Sequence, residues 1–238
     1  MKQILLSKEI EFSEENHRTW SLLFNRQMAL VKDNVCKEFI EGVKEFDFNK
    51  EGIPDRNEIS KKLNSLHRWI IANAENKYLS DEEWFTHLIK NEFPATDFIR
   101  KGDELDFTPL PDLFHEFFGH IPFLANKKIM NIIELFALAF KITPKNKKFQ
   151  VARLWWHTLE FGLIKENGNV KVLGAGLISS NKEFLHALDI NRHLPFNIKN
   201  IIKTPKSVAD VHNKYFILES LDQLEQELKE WIKNHSGK

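Results

Sequence analysis

The sequence predicts a mainly α-helical fold with a few short β-strands, gathered into a single domain. Three observations carry this expectation. Apolar residues recur at spacings of three and four along most of the chain, as in helices with one buried face. Runs of strand character, such as Val170-Lys171-Val172-Leu173 and Tyr215-Phe216-Ile217-Leu218, are short and isolated. No internal repeat, low-complexity tract or Gly/Ser linker divides the 238 residues. Residues 1–238 are therefore expected to form one domain, with 1–11 as an N-terminal extension.

In chain order, Ser13-Glu14-Glu15-Asn16 has the character of a capping segment. Trp20, Leu22, Leu23, Met28, Leu30 and Val31 follow it. The same spacing continues through Val35, Phe39, Ile40 and Val43, so the helical pattern is expected to stop near Phe46. Gly52-Ile53-Pro54 is a turn, and residues 55–57 offer caps for a helix over 56–67. Trp69-Ile70-Ile71 reads as a short strand. Ser80-Asp81-Glu82-Glu83 opens a helix carrying Trp84, Phe85, Leu88 and Ile89, which Pro94 and Thr96 terminate. Residues 96–100 read as a strand and 101–106 as its loop. Pro109 and Pro111 flank the start of a helix bearing His115, where proline is tolerated, and Pro122 limits its length. Further helices fit 127–141 and 150–165. Asn167-Gly168-Asn169 is a hairpin signal ahead of a strand at 170–173. Gly174-Ala175-Gly176 is a tight segment and 180–188 a short helix. A strand at 215–218 and an amphipathic helix from Leu221 to Trp231 complete the chain.

Composition excludes several classes of function. Hydrophobic residues make up 42% and charged residues 29%, ordinary for a globular protein. The net charge is +0, with 34 basic and 34 acidic residues, which gives no electrostatic case for nucleic acid or an anionic membrane. No apolar run nears the roughly 20 residues that a membrane helix needs. The single cysteine, Cys36, excludes an internal disulfide and any all-cysteine metal site, and suits a reducing compartment. The first residues lack signal-peptide character, so a cytoplasmic protein is expected. The aromatics are skewed, with 20 Phe and 6 Trp against 2 Tyr; a Phe-rich core is the ordinary outcome and an aromatic-lined pocket the rarer one.

His115-Glu116-Phe117-Phe118-Gly119-His120 is the stretch where chemistry concentrates. On an ideal helix each residue advances about 100°, so the two imidazoles would point roughly 140° apart. The zincin spacing HExxH has one residue fewer and puts both rings on one face. Gly119 can relieve the mismatch by leaving the helix in a left-handed or widened turn. Two unrelated histidines are the commoner outcome for an arbitrary pair at this spacing. Here Phe114, Phe117, Phe118, Ile121 and Phe123 bury the segment, and buried imidazoles need partners. A third ligand should be an acid on a neighbouring helix. Glu160, among Leu154, Trp155, Trp156, Leu159 and Phe161, is the best candidate, because an ionised carboxylate there must be paired, protonated or metal-bound. Glu134, on the helix that follows the motif, is the other acid, with a surface or capping charge as its ordinary role. Two histidines and a carboxylate suit either a facial Fe(II) site with open positions or a catalytic zinc.

At these residues the chain resembles the pterin-dependent aromatic amino acid hydroxylases, most of all their bacterial phenylalanine-hydroxylating members. The resemblance runs through Phe12 to Trp20, Phe93 to Arg100, Pro111 to Pro122, Trp156 to Gly162 and Gly174 to Ser180, in the family's order. A zinc dipeptidyl peptidase family also carries HExxGH, in far longer chains. The resemblance implies a single catalytic domain of that fold, with Fe(II) held by His115, His120 and Glu160. It implies that Arg100 pairs with the substrate carboxylate, for which a guanidinium fork is suited. It places Thr108 and Ser179 near the amino acid, Gly176 where the substrate approaches closely, and Pro111, Trp156 and Phe161 around its ring. Tryptophan hydroxylases usually carry Phe where Trp156 stands, which argues against tryptophan as the substrate. Leu79, Trp84, Glu116 and Trp155 match positions around the tetrahydropterin. Trp84 departs from the phenylalanine usual in animal members, and Trp155 replaces a common tyrosine. The family's regulatory domain and tetramerisation helix have no counterpart here, so a monomer without fused regulation is expected.

The implied reaction is hydroxylation of phenylalanine to tyrosine with O2, Fe(II) and a tetrahydropterin such as tetrahydrobiopterin. Tryptophan or tyrosine as substrate is the nearer alternative. A zinc hydrolase with Glu116 as general base is the more distant one. A structural zinc would require a fourth ligand, for which His157 and His186 are the available histidines.

Overall fold

The computed structural model describes residues 11–74, 76–102, 105–106, 111–207 and 211–236. Helix α1 (Glu14–Val31) opens on a capping box in which Ser13 Oγ accepts from the Asn16 N–H while the Asn16 side chain accepts from the Ser13 N–H. The helical spacing does not carry the chain straight on to Phe46. The Cys36 N–H donates to the Val172 carbonyl and the Val172 N–H to the Asn34 carbonyl, so this segment pairs with a distant strand. The helix restarts as α2 (Lys37–Glu45). There a Cβ on Gly42 would lie 1.8 Å from the Pro122 carbonyl oxygen, so only glycine permits that crossing.

Helix α3 (Arg56–His67) is capped by Asp55, and α4 (Asp81–Ile89) by a Ser80/Glu83 capping box. They alternate with β1 (Ile70–Asn73) and β2 (Glu92–Ala95), which pair in parallel. The strand expected at 96–100 thus lies four residues earlier. Pro94 lacks an N–H, but β2 has only one neighbour, and an edge strand tolerates that loss.

After the stretch that holds His115 come α5 (Lys127–Ile142), capped by Asn126, and α6 (Lys148–Trp155). The helix expected over 150–165 changes character at Trp156 and ends at Glu160. Residues Leu163–Glu166 form β3, which turns through Asn167 and Gly168 into β4 (Asn169–Val172). Both turn residues have positive φ, 50° and 79°, as a two-residue hairpin of this type requires. Then follow α7 (Ala175–Ile178), α8 (Asn181–Ala187), β5 (His193–Pro195), α9 (Ile198–Ile201), β6 (Tyr215–Leu218) and α10 (Leu221–His235). The second sheet has the order β4-β3-β6-β5, with β6 parallel to both of its neighbours. The architecture is mainly helical with short strands, as the sequence predicts.

One apolar core spans the described residues. The phenylalanine excess is spent here: Phe114 stacks on Phe118 at 4.7 Å, and Trp20, Phe24 and Phe39 meet this pair edge-on or tilted. Such pairs add about 0.5–1.5 kcal/mol each beyond their area. They anchor the segment bearing His115 from beneath. Among the described residues, no helix is long and apolar enough to cross a membrane.

Candidate metal centre and active site

Residues His115–His120 form a π-helical turn, in which the Ile121 N–H reaches back to the Glu116 carbonyl. Hydrogen bonding five residues back widens the turn and brings side chains five apart towards one side. The mismatch expected of the spacing is therefore resolved by a widened turn rather than a left-handed one; Gly119 has no positive φ. Glycine is needed there for another reason: a Cβ would lie 2.8 Å from the Ala175 carbonyl oxygen of α7. A second π-turn, Trp156–Glu160, delivers Glu160 to the same point.

The two turns converge. His115 Nε2 lies 3.3 Å from His120 Nε2 and 3.3 Å from Glu160 Oε1, and His120 Nε2 lies 3.2 Å from Glu160 Oε2. Among the described residues this is the one His/Cys/Asp/Glu group able to hold an ion, and it contains no fourth such residue. Donor atoms about 2.1 Å from one ion lie about 3.0 Å apart at octahedral angles and about 3.4 Å at tetrahedral angles. The observed spacing suits a single ion of either geometry.

Protonation fits a cation as well. Ser179 donates its hydroxyl hydrogen to the Ala175 carbonyl at 2.9 Å, so its oxygen accepts from His115 Nδ1 at 2.8 Å. That fixes the tautomer and leaves the His115 Nε2 lone pair facing the cluster. Burial pushes the His115 imidazolium down to about 4 although Glu160 pulls the other way, so the ring is neutral near pH 7. Burial alone would raise the Glu160 carboxyl. His120, His115 and hydrogen bonding from the Trp155 indole outweigh that and hold it below its ordinary value. Lone pairs from an ionised acid and a neutral imidazole thus meet in a buried space.

Two aromatic banks flank the cluster. Trp84 and Phe93 tilt against His120 at 5.9 and 5.3 Å, and Trp155 meets Trp84 at 5.6 Å. Beyond Glu160, Trp156 tilts against Phe161 at 4.7 Å. Gly176 borders both, since a Cβ there would lie 2.6 Å from Phe161 Cζ and 3.0 Å from Glu160 Oε1. Two buried polar atoms lack a partner beside the cluster: Glu116 Oε2 and the Trp84 indole nitrogen. Burial, with Glu160 and Asp112 nearby, pushes the Glu116 carboxyl well above its usual range.

Other expected residues fall into place differently. The Arg100 fork grips Asp112, with Nε to Oδ2 and one Nη to Oδ1, both at 2.8 Å. Its other Nη lies 3.4 Å from the Leu105 carbonyl. Asp112 also accepts from the His115 N–H at 3.1 Å and so caps the π-turn. The sequence reading missed this residue, although an aspartate three positions ahead of His115 is a capping signal. Pro111 is half-buried beside it, and Leu79 is half-buried directly ahead of the Ser80 cap of α4. Thr108 lies outside the described residues. Glu134 is exposed and accepts from the Trp69 indole, away from the cluster. His157 Nε2 faces the Thr204 and Pro205 carbonyls, and His186 pairs with the Tyr215 hydroxyl, so neither joins the cluster.

Comparison with known proteins bears on what such a cluster serves. Residues 5–237 match the profile described as biopterin-dependent aromatic amino acid hydroxylase. A phenylalanine-4-hydroxylase of Chromobacterium violaceum is 33% identical over 217 residues, which cover 90% of this chain and 72% of that one. One of Pseudomonas aeruginosa is 31% identical over 224 residues, covering 94% and 85%. The solved Chromobacterium violaceum phenylalanine hydroxylase with bound iron(III) and oxidised cofactor 7,8-dihydrobiopterin superposes with a TM-score of 0.85 at 30% identity, covering 95% of this chain and 84% of that one.

Proposed function

The chain belongs to the biopterin-dependent aromatic amino acid hydroxylases, and from that premise we propose that it converts phenylalanine to tyrosine with O2, Fe(II) and a tetrahydropterin. One observation carries the site assignment: His115, His120 and Glu160 converge from two π-turns with their donor atoms within 4.8 Å of one another. These three residues hold the iron, leaving coordination positions open. Iron and reduced pterin, when bound, supply the oxygen activation; the rest falls to the chain.

Each remaining residue has a role that its surroundings support. Ser179 keeps His115 in the metal-binding tautomer. Glu116, its carboxyl pushed up by burial and unpartnered on one oxygen, and the unpartnered Trp84 indole N–H offer a polar pterin ring its hydrogen bonds, while Trp84, Trp155 and Leu79 pack on it. Trp156, Phe161 and Pro111 wall the substrate ring, with Gly176 giving the space that Phe161 needs. Arg100, already oriented by Asp112, presents its remaining Nη to the substrate carboxylate; for Thr108 the role in binding the amino acid rests on the family resemblance alone. A cytoplasmic, monomeric enzyme completes the proposal; the free, buried Cys36 suits a reducing compartment, and sedimentation would test the oligomeric state.

The deciding experiment loads metal-free protein with Fe(II) or Zn(II) and supplies phenylalanine, tryptophan or tyrosine with a tetrahydropterin and O2. Tyrosine formed from phenylalanine by the iron form alone is expected, with Glu160→Gln losing iron and turnover. Hydroxytryptophan as the main product would overturn the substrate assignment. Hydrolysis by the zinc form without iron-dependent hydroxylation would overturn the reaction.

A further inference from the structure

A second buried polar cluster lies behind the aromatic bank beyond Glu160, and the metal site does not use it. His212, 6% exposed, accepts the Trp156 indole N–H on Nε2 at 2.9 Å. Its ring lies against Phe161 with centroids 4.1 Å apart and planes 30° from parallel. Glu183 fixes it from the other side. One carboxylate oxygen, Oε1, accepts both the His212 backbone N–H at 3.1 Å and the ring Nδ1–H at 2.5 Å. The other, Oε2, accepts the Tyr215 hydroxyl at 3.2 Å, and Tyr215 in turn meets His186 Nδ1 at 3.1 Å.

The hydrogen-bond directions admit one arrangement. An indole nitrogen only donates, so His212 Nε2 must carry the lone pair and Nδ1 the proton. That proton needs an acceptor, which Glu183 provides. Among the described residues no other group accepts from the Trp156 indole. Phe161 is confined at the same time, because its ring packs close on Gly176 on one side and His212 lies against it on the other.

We propose that His212, held by Glu183, is the positioning residue that sets the shape and polarity of the substrate-ring slot. It holds the Trp156 indole N–H away from the slot, so the wall offered to the substrate is hydrocarbon. An unhydroxylated ring then loses nothing on entry, whereas a phenol finds no partner there, which favours phenylalanine over its product. The inference rests on Trp156 and Phe161 being the slot walls.

Three variants test it in the iron-loaded enzyme. His212→Phe keeps a ring against Phe161 and removes the acceptor. His212→Gln keeps an acceptor and removes the ring. Trp156→Phe identifies the Trp156 indole signal among the 6 tryptophans in a 15N–1H spectrum. In His212→Phe that signal should shift and exchange faster, and the KM for phenylalanine should rise about tenfold, as expected for one orphaned, half-buried donor, with kcat within about threefold. Inhibition by tyrosine should strengthen, and the metal content should stay that of the wild type. His212→Gln should recover most of the loss. A His212→Phe protein with an unmoved indole signal and a wild-type KM overturns the proposal, as does a loss that His212→Gln fails to relieve. Should His212→Phe not fold, Glu183→Gln is read by the same two measurements and should move both in the same direction. Wild-type enzyme that makes no tyrosine would instead overturn the assigned reaction, while the indole signal would still decide whether His212 holds Trp156.

Discussion

Ser179 spends its hydroxyl hydrogen on the Ala175 carbonyl, and this small choice decides which nitrogen of His115 is free. With the serine removed, both tautomers become available and the ring loses its anchor. Partners of metal-bound histidines are typically worth 10- to 100-fold in affinity. Ser179→Ala should therefore weaken Fe(II) or Co(II) binding by about that factor in a competition titration; affinity within twofold of the wild type would count against the tautomer argument. Arg100 needs a different expectation from the one its sequence context suggests. A substrate-carboxylate clamp alone would raise KM and leave the fold intact. Here the guanidinium is also the partner of fully buried Asp112, whose carboxyl it holds below the ordinary value against the effect of burial. Truncation strands a buried carboxylate, which costs about 3–5 kcal/mol. Arg100→Ala should lower the denaturant midpoint markedly as well as raise KM. An unchanged midpoint would show that Asp112 finds another partner.

At the scale of the element, the two π-turns explain what was legible in the sequence and what was not. HEFFGH and Glu160 could be singled out because imidazoles and an acid among phenylalanines and tryptophans demand partners wherever they fold. The widened turn at Gly119 was foreseeable from a spacing that no α-helix satisfies. Its packing reason was not, because Ala175 is brought to Gly119 only by the fold. Gly119→Ala should shift the turn against α7, costing about 1–3 kcal/mol as an overpacked contact does, and should lower metal affinity with it. Wild-type stability and affinity together would refute the close-contact argument. The misplaced boundaries share one cause. Residues 34–36 leave the helix because Val172 offers them a ladder, β2 lies at 92–95 because its register follows β1, and α6 yields to a π-turn because Glu160 must turn inwards. Each is a tertiary partner overriding local pattern. Asp112 left a faint capping signal, whereas Glu183 and His212 left none, being ordinary residues until the fold joins them.

For the molecule as a whole, building a metal site and its surroundings inside one core makes stability depend on pH. Two largely buried histidines are held neutral: burial pushes His115 and His157 each down to about 4. In the unfolded chain both titrate near 6.5. Between about pH 6.5 and 4 these two rings bind more protons in the unfolded state, whereas Glu116, whose folded carboxyl is raised, binds more in the folded state; the two histidines outweigh the one acid, and stability falls as the pH falls through that window. At 1.36 kcal/mol per pH unit, each fully neutral histidine removes about 3 kcal/mol across the window, a large share of a typical domain's margin. Asp112 acts lower down: its depressed carboxyl stabilises the fold above the unfolded carboxylate range near 3.9, and that contribution is lost as the pH falls through its folded value. Metal-free protein should therefore lose denaturant stability progressively from pH 6.5 to 4.5. His157→Gln, which keeps a donor for the Thr204 and Pro205 carbonyls but cannot take up a proton, should show a shallower decline. Added Fe(II) should steepen the wild-type dependence, because protons and metal compete for His115. A flat wild-type profile over this range, or a His157→Gln profile parallel to it, would mean that these rings are not the groups whose protonation unfolds the protein.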